Sequence, residues 1–570
     1  MSAAGMPGSA DDRLVALYSD EWAWRQTVLP DAEDSQRPIA PYLPDVSPAG
    51  QDLRLRRWEG TLLALDQIPR DSLSSGRQVD FDVYRAQLRS LIALQRFHQE
   101  EMPFNSDTSF WMELTYTARR EFRRAEDYSN WVEQLRCIPA YVRQQMVAMR
   151  QGLARGFTPP QVSLEGRAQS LQALVDRAPE ETALYEPFTK PSVARMAALA
   201  PGLAYEARAL IQETVQPALA ELYRFVTEEY IPSCRTTIAA RDLPDGEAYY
   251  DSLIRVNTTL ELDAERIHEI GLAEVAQLED QMREVASANS LGEEWPTVRA
   301  SLDALPNSRA GSPQELLAQA AWIAKVVDGA LDRFFDRLPR ARFTIRPVPD
   351  EIAPFYTSGR GGPGVYLVNT YRLEQRPLYN LAALTLHEAD PGHAFQMALA
   401  LEQRELADFR RHTYLSAFGE GWALYCEWLG QEMAVYRGPT DVLGMVGYQS
   451  WRAARLVVDT GIHAMGWSRA RAIEYLREHS LLPDQEITTE VDRYISWPAQ
   501  ALAYYLGEMK IRQLRQRAER SLGSAFDLRS FHDTVLDGGC VPLDVLQNVI
   551  DTFIENQGRR AHDRPAGSNL

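Results

Sequence analysis

Two histidines and a glutamate lie close together in the apolar stretch LTLHEADPGHAFQ. They are His387, Glu388 and His393, and the two histidines are among only nine in the 570-residue chain. Two imidazoles with a carboxylate are a common donor set for a divalent metal such as zinc. The residue types therefore predict a metal site. The alternative is a proline-broken, buried helix that carries two unrelated histidines.

The spacing of these histidines differs from that of the zinc motif H-E-x-x-H. In that motif the histidines are four residues apart, about 40° around an α-helix, so both imidazoles face one metal. His393 follows His387 by six residues, roughly 240° at the same pitch, so an unbroken helix would point the rings apart. Binding of one metal by both histidines thus requires an interruption of the helix between them.

Pro391 and Gly392 predict that interruption. Pro391 lies four residues after His387, so it has no N–H for the His387 carbonyl, and its ring clashes there. Either a widened turn absorbs the two extra residues, or the helix ends and restarts with Asp390 as N-cap and Pro391 as its first residue. Gly392 removes side-chain bulk beside the break. Both arrangements bring His393 back toward His387.

A neighbouring helix is expected to supply the third protein ligand of a catalytic zinc site. In FGEGWALYCEWL, Glu420 is flanked by two glycines and follows His393 by 27 residues, enough for a helix to end, turn and return. Glu427, two turns further along nearly the same face, is the alternative ligand, and an exposed surface glutamate is the alternative role for Glu420. Glu388 is then the predicted general base, because an unligated carboxylate beside the metal can accept a proton from water.

A later helical stretch carries an Arg–Asp–His stripe. Arg455, Asp459 and His463 are spaced four apart, so they line one face of a helix. His463 is predicted to face a developing oxyanion, and Arg455 to hold a substrate carboxylate. The alternative is a buried structural ion network, since such groups are costly to bury unless they are paired.

The stretch YISWPAQALAYYLGEMK adds phenols and an amide. Tyr504 is the first choice as donor to a tetrahedral oxyanion, and Tyr494 and Gln500 are predicted to contact the substrate, although each tyrosine singly is more often a core residue. Arg360, in a Gly-rich segment before the first histidine, is a second candidate for a substrate carboxylate.

Helical periodicity dominates the elements that must position these residues. The predicted helices are roughly 11–28, 50–69, 78–100, 127–154, 192–230, 262–287, 313–338, 378–400, 405–433, 441–466, 469–480, 487–519, 525–537 and 541–556. Alternating β-branched and aromatic residues at 341–371 predict a strand or loose hairpin, with VYLVN at 365–369 as the best strand. An edge strand beside the metal helix would let an extended peptide add as another strand, and a β-ribbon that only caps the helical body is the alternative.

The order of these elements predicts three segments. They are an irregular N-terminal segment at 1–49, an N-terminal helical half at 50–340 and a C-terminal metal-binding helical half at 341–570. The first ten residues and the Pro-, Asp- and Ser-rich segment 29–49 are expected to be irregular. His268-Glu269 imitates the metal motif, but Leu272 stands four residues after the histidine, so this pair is predicted to be structural.

Composition limits the partners of the chain. The net charge of −19 argues against nucleic acid and anionic membrane. The N-terminus lacks a basic and apolar signal pattern, and no run of about 18 apolar residues occurs, so we expect a cytoplasmic protein without a membrane span. The four cysteines lack CxxC spacing and are expected to be reduced thiols. The sequence is compatible with a homodimer.

Taken together, the motifs resemble a large bacterial family known as domain of unknown function 885. The family segments HExxPGH, EGWALY, WRAxRLVVDTGxH and YxxxPxQALxY stand here at 387–393, 420–425, 451–463 and 494–504. The resemblance covers roughly 220–550 and is strongest in 360–550. Three departures from the family pattern are Ala394 for a second histidine, Ala499 for a glycine and Tyr505 for a lysine. They leave the ligand set intact and affect the expected substrate pocket.

The family's fold is similar to that of carboxypeptidase Taq and, more distantly, to thimet oligopeptidase and angiotensin-converting enzyme. The resemblance therefore implies a mainly α, gluzincin-like fold with a deep central cleft and one small β-sheet or ribbon. It implies zinc bound by His387, His393 and Glu420, with Glu388 as base. The implied activity is hydrolysis of amide bonds in small peptides by a carboxypeptidase or oligopeptidase. The alternatives are a hydrolase or tailoring enzyme for a specialised small amide or ester, and a non-catalytic helical binding protein.

Overall fold

The chain forms two compact, mainly helical units. The computed structural model describes residues 8–30, 37–189, 202–350 and 352–562. Within these, the first unit runs to Ile238 and includes Asp242–Asp245, and the second comprises Ala239–Arg241 and the chain from Gly246 onward. The prediction of a mainly α protein with one small sheet is confirmed.

The first unit is built from helices whose apolar faces meet in a core with buried Trp58, Trp111 and Trp131. These helices are α1 (Ala10–Val28), α2 (Pro48–Asp66), α3 (Ser75–Arg96), α4 (Phe110–Arg119), α5 (Ala125–Arg155), α6 (Gln169–Asp176), α7 (Leu203–Leu210) and α8 (Gln216–Arg224). Burial of one apolar face per helix is what the three- and four-residue periodicity requires.

Two wide turns interrupt the last helical run of this unit. The π turn Ile211–Val215 joins α7 to α8, and a second π turn, Phe225–Tyr230, follows α8. Each π turn precedes a proline by two residues, at Pro217 and Pro232. Proline cannot donate the helical N–H bond, and its ring displaces the carbonyl four residues earlier. The first wide turn accommodates Pro217 without ending the run, whereas the run ends at Ser233, one residue after Pro232.

The predictions for the N-terminal region are confirmed only in part. The segment 1–49, predicted to be irregular, contains α1, which begins after Ser9 in a capping box with Asp12. Residues 1–7 and 31–36 lie outside the described residues. So does 192–201, the beginning of the helix predicted at 192–230.

The second unit holds all the predicted chemistry. Its helices are α9 (Gly246–Thr258), α10 (Ala264–Ala288), α11 (Trp295–Asp303), α12 (Pro313–Asp328), α13 (Leu381–Glu388), α14 (His393–Glu402), α15 (Asp408–His412), α16 (Ser416–Leu429), α17 (Pro439–His463), α18 (Arg469–Glu478), α19 (Asp484–Ser496), α20 (Ala503–Leu522), α21 (Leu528–Leu536) and α22 (Leu543–His562). The long helix α17 is buried along most of its length and forms the centre of the unit.

Glycines let the main helices of this unit approach closely. α10 packs along α17 with Gly271 against Leu456, where an added Cβ would lie 2.8 Å from the leucine Cβ. α16 and α20 cross at Gly421 and Gly507, where an added Cβ on Gly421 would lie 2.5 Å from main-chain atoms of Gly507. α10 packs on α17, and the second unit begins near residue 246, whereas the division predicted from the sequence falls at 340/341.

A three-stranded sheet lies beside α13. The order is β1 (Thr344–Pro347), β3 (Val365–Val368), β2 (Gly359–Gly362), with β1 parallel and β2 antiparallel to β3. The predicted strand at 365–369 is thus the central strand, with Tyr366 and Val368 buried. β2 pairs with a strand on one side only, and its other side faces the end of α13.

The fold also shows the surroundings of His268 and the state of the four cysteines. His268 lies on α10 and contacts the Thr460 hydroxyl through Nδ1 at 2.8 Å, in agreement with the structural role predicted for it. The four cysteines are free thiols. Across the described residues, every helix is too short or too polar to cross a lipid bilayer.

Candidate metal centre

The helix that carries the first histidine ends immediately after it. α13 ends at Glu388, Ala389 leaves the helical region at φ −101° and ψ −119°, and α14 begins at His393. The predicted interruption is therefore confirmed as a stop and restart. The details differ from the prediction, since Gly392, not Asp390, is the residue that precedes the new helix.

Gly392 makes the fold-back of this loop possible. A Cβ at this position would overlap the carbonyl oxygens of Leu386 and His387 at the end of α13. The indole N–H of Trp422 donates to the Pro391 carbonyl at 2.8 Å and ties the loop to α16. Because a side chain does not fit beneath the helix end, glycine brings the second histidine back over the first.

His387, His393 and Glu420 converge on one point. The two imidazole centroids are 4.9 Å apart with planes at 86°, and one donor atom from each of the three residues lies within 4.8 Å of the others. Glu420 Oε2 is 3.2 Å from His393 Nε2 and 3.4 Å from His387 Nε2. Tetrahedral zinc with ligands at 2.0–2.2 Å separates its donors by roughly 3.3–3.6 Å. The donor set and its spacing therefore fit a small divalent ion.

Glu427, the alternative ligand, lies on the far side of the first histidine. Its Oε1 is 2.8 Å from His387 Nδ1, and an Arg452 nitrogen is 3.5 Å from the same oxygen. A carboxylate on Nδ1 fixes the tautomer and leaves Nε2, which faces Glu420, free to bind a metal. The geometry makes Glu427 a residue that orients His387.

We expect Glu427→Gln to weaken zinc binding by about 10–100-fold, because the ligand imidazole loses its charged hydrogen-bond partner. Competition with a fluorescent zinc chelator measures this affinity. Glu432→Gln is the control, since Glu432 is partly exposed and pairs with Arg515 instead of a histidine. Equal affinities of Glu427→Gln and wild type would contradict the orienting role.

Tyr414 was not predicted from the sequence. Its hydroxyl donates to Glu420 Oε1 at 3.0 Å, so the other oxygen, Oε2, faces the imidazoles. Gly419 gives the tyrosine ring its space, because an added Cβ there would overlap the ring. The glycine beside Glu420 was therefore a signal for a close neighbour, although it did not identify that neighbour as Tyr414.

The charges of the cluster attract one another strongly. Burial lowers the pKa of His387, but hydrogen bonds to Glu420 and Glu427 and the charge of Glu388 outweigh burial and raise this pKa to about 9. Burial raises the pKa of Glu420, but the charge of His393 and the hydrogen bonds from both imidazoles hold this pKa well below its usual range. Since a metal ion competes with protons for the imidazoles, its binding should strengthen as pH rises.

Glu388 lies beside the three converging residues and is 8% exposed. Its Oε2 accepts a hydrogen bond from the backbone N–H of Gly361 in β2. A Cβ on Gly361 would overlap the Glu388 main chain, so β2 reaches α13 only because residue 361 is glycine. The strand thereby fixes the carboxylate next to the candidate metal site.

The sequence matches the family described as "Bacterial protein of unknown function (DUF885)" over residues 33–550. The chain belongs to this family. The resemblance predicted from the motifs is thereby confirmed at the level of the family. No curated protein matches the sequence.

Two solved structures share this member's fold. The crystal structure of the putative lipoprotein from Colwellia psychrerythraea has a TM-score of 0.87 and 25% identity, covering 96% of this chain and 100% of that one. A putative lipoprotein of unknown function from Shewanella oneidensis has a TM-score of 0.64 and 16% identity, covering 95% of this chain and 100% of that one. The second likeness shows the fold alone. The names of these proteins give no activity.

Arg455 and Tyr494 of this family member lie in a buried hydrogen-bond network. The Arg455 guanidinium donates to Tyr494 Oη and to Glu490, each at 2.9 Å. The Trp451 indole also donates to Tyr494 Oη, at 2.8 Å, and the tyrosine hydroxyl bonds to Glu490. Arg455 and Tyr494 are almost fully buried, but Arg455 Nη1 has no hydrogen-bond partner in the described part of the chain, so the substrate-binding roles predicted for them stay predictions.

His463 also has a structural place. Its Nδ1 accepts from the Ala240 N–H at 3.0 Å, and its Nε2 donates to the Tyr494 carbonyl at 2.9 Å. Both ring nitrogens are thus bound to the main chain, so neither can serve an oxyanion. The predicted catalytic role of His463 is corrected accordingly. Asp459, one turn earlier, is also buried, and burial raises its pKa to about 7 against hydrogen bonds from Tyr250 and Ala499.

Tyr504 is the predicted donor that lies at the cluster. Its ring stacks on His387 with centroids 6.1 Å apart and planes at 16°. Gln500 shares a partner with Tyr504, because Arg493 Nη2 donates to the Gln500 amide oxygen at 2.8 Å and to the Tyr504 hydroxyl oxygen at 3.4 Å. Arg360 is exposed on β2, next to the glycine that binds Glu388, and its Nη1 lies 3.5 Å from the Tyr356 hydroxyl. Arg493 was not predicted from the sequence.

Glu508 on α20 predicts a pH-dependent stability. Burial raises its pKa to about 8 against the opposing charge of Arg512, and its Oε2 has no hydrogen-bond partner in the described part of the chain. The folded protein keeps a proton that the unfolded chain, with a pKa near 4.5, releases. The contribution of this bound proton to the free energy of unfolding is complete below about pH 4.5, and it is lost as the pH rises toward 8.

We therefore expect Glu508→Gln, which needs no proton, to raise the Tm relative to wild type by roughly 2–4 °C more at pH 8 than at pH 5. Differential scanning fluorimetry across this range measures the difference. Glu519→Gln on the same helix is the control, because Glu519 is partly exposed and pairs with Arg515. A Tm difference that does not vary with pH would contradict the assignment.

Proposed function

We propose that this protein is a zinc-dependent hydrolase of amide bonds that acts on small peptides. The observation that supports the proposal most directly is the convergence of His387, His393 and Glu420 at donor spacings suited to a small divalent ion. A separate carboxylate, Glu388, lies beside these residues, held by the backbone and positioned outside the ligand set. A relationship to the gluzincin fold, with its cleft, is part of the same proposal.

Each side chain has a separate role in the proposed hydrolysis. A divalent ion held by His387, His393 and Glu420 would lower the pKa of water and polarise a carbonyl oxygen. Glu388 takes the proton of the attacking water and passes it to the leaving nitrogen as the C–N bond breaks. Tyr504 donates its hydroxyl hydrogen bond to the carbonyl oxygen as negative charge develops there. The products are a carboxylic acid and an amine.

The position of β2 supports a peptide substrate. β2 is one of the two outer strands of its sheet, and Gly361 of this strand contacts Glu388. An extended peptide can hydrogen-bond to the backbone of an outer strand, which would carry its amide bond past the base. The cytoplasm is part of the proposal because the four cysteines are free. Cell fractionation tests this compartment.

The test combines metal analysis with an unbiased substrate screen. Protein purified without added zinc is analysed by inductively coupled plasma mass spectrometry, then incubated with a peptide library and with a pool of small amides and esters. We expect about one zinc per chain and cleaved peptides, with cleavage lost on chelation. Zinc without any turnover would contradict the proposal. Turnover confined to the small amides or esters would reassign the substrate, and absence of metal affinity would favour a binding protein.

A further inference from the structure

Two phenols lie beside the imidazoles, and they differ in what their hydroxyl protons do. The Tyr414 hydroxyl donates its hydrogen bond to Glu420 Oε1, at 3.0 Å. The Tyr504 oxygen instead accepts a hydrogen bond, from Arg493 Nη2 at 3.4 Å. Within the described residues, no acceptor is within hydrogen-bonding distance of the Tyr504 hydroxyl. Of these two phenols, therefore, Tyr504 has a proton to give to another molecule.

Arg493 is held in place from several sides. It lies on α19, where its Nη2 also donates to the Gln500 amide oxygen at 2.8 Å and its Nη1 is 3.6 Å from Glu490. Its side chain is 15% exposed. A guanidinium has five N–H donors and no acceptor, so the contact with Tyr504 has one polarity only. The phenol oxygen must accept on that side, and its own proton must point elsewhere.

Arg455 has a different part in holding the same tyrosine. Its guanidinium carbon lies 4.2 Å from the centroid of the Tyr504 ring, a cation–π contact that acts on the ring plane. The ring also stacks on His387. The ring is thus fixed by Arg455 and His387, while the hydroxyl group is fixed by Arg493.

We propose that Arg493 is a positioning residue that sets the hydrogen-bond polarity of Tyr504. By donating to the phenol oxygen, it leaves the Tyr504 proton available for a substrate carbonyl oxygen that gains negative charge. The inference rests on the proposed function for its catalytic consequence. Its structural content, that Arg493 holds the Tyr504 hydroxyl, is independent of any activity and is tested separately.

The first arm of the test is independent of activity. 3-Fluorotyrosine is incorporated at position 504 of the full-length, folded chain, and its ¹⁹F resonance is recorded in wild type and in Arg493→Gln. We expect the resonance to move in Arg493→Gln and to stay in place in Arg469→Gln. Arg469, on α18, is the matched control because it forms an arginine–carboxylate pair with Asp492, the residue before Arg493 on α19. An unmoved resonance in folded Arg493→Gln overturns the proposal, whether or not the protein hydrolyses anything.

The second arm is a double-mutant cycle on the best substrate. We expect Arg493→Gln to lower kcat by about 10–100-fold with little change in KM, less than the 10²–10³-fold cost of removing an oxyanion donor itself. The loss should largely disappear in a Tyr504→Phe background, because that variant has already lost the proton. Independent, multiplicative losses would overturn the proposal.

A conservative variant guards against misfolding. Arg493→Lys keeps a cationic donor, so it should recover part of the kcat lost in Arg493→Gln and move the ¹⁹F resonance less. If wild type hydrolyses no substrate, the proposed function fails, and the fluorine arm still decides whether Arg493 holds Tyr504. If wild type is active and the cycle is additive, the function stands and this inference fails.

Discussion

Glu388→Gln is expected to abolish hydrolysis while leaving zinc bound. The amide keeps the shape of the side chain and can still accept the Gly361 N–H through its oxygen. It cannot take a proton from water, and loss of a general base costs about 10²–10⁴-fold in rate. Because Glu388 lies outside the converging donor group, the metal content should remain near that of wild type.

Steady-state kinetics on the best peptide, paired with metal analysis of the same preparation, measures both halves of this expectation. Glu432→Gln serves as the control for a glutamate away from the cluster. Activity of Glu388→Gln within a few-fold of wild type would remove Glu388 from the mechanism. Loss of both metal and activity would instead place Glu388 among the residues that hold the ion.

Glu420→Ala is expected to lose the metal itself. Removing this carboxylate leaves two imidazoles, one donor fewer than the three protein ligands of a catalytic zinc site. It also leaves His387 without one of the hydrogen bonds that raise its pKa, so the imidazoles lose a negative partner as well as a co-ligand. We expect the zinc content to fall at least about tenfold.

Tyr414→Phe is the matched comparison for this variant. It keeps Glu420 and removes only the hydrogen bond to Oε1, so its zinc content should stay close to wild type while the affinity falls modestly. Circular dichroism of Glu420→Ala separates loss of a ligand from loss of fold. A folded Glu420→Ala protein that retains stoichiometric zinc would refute the ligand set.

The interruption between the histidines was predictable because its causes are local. Pro391 removes one helical hydrogen bond wherever it stands, and Gly392 tolerates a backbone that other residues do not. Which residue precedes the new helix was not predictable. Gly392 takes that place because it alone fits beneath the carbonyls of Leu386 and His387, and this contact exists only after the loop has folded back.

The roles of Glu427 and His463 needed tertiary structure. Glu420 and Glu427 lie on nearly the same face of α16, so periodicity cannot say which one reaches the imidazoles and which one passes behind His387. His463 has the residue type of a catalytic group, but Ala240, 223 residues earlier in the chain, occupies its Nδ1. Catalytic and structural networks use the same residue types, and the partners that distinguish them come from distant segments.

The crossing of α16 and α20 has a mechanical consequence. These helices carry Glu420 and Tyr504, and at Gly421 and Gly507 they touch main chain to main chain, with no side chains between them to change rotamer. The Glu420 carboxylate and the Tyr504 phenol are therefore expected to keep their relative positions when the protein fluctuates. We infer that any change in the width of the site must come from the side of Glu388, where the short strand β2 contacts this carboxylate through Gly361.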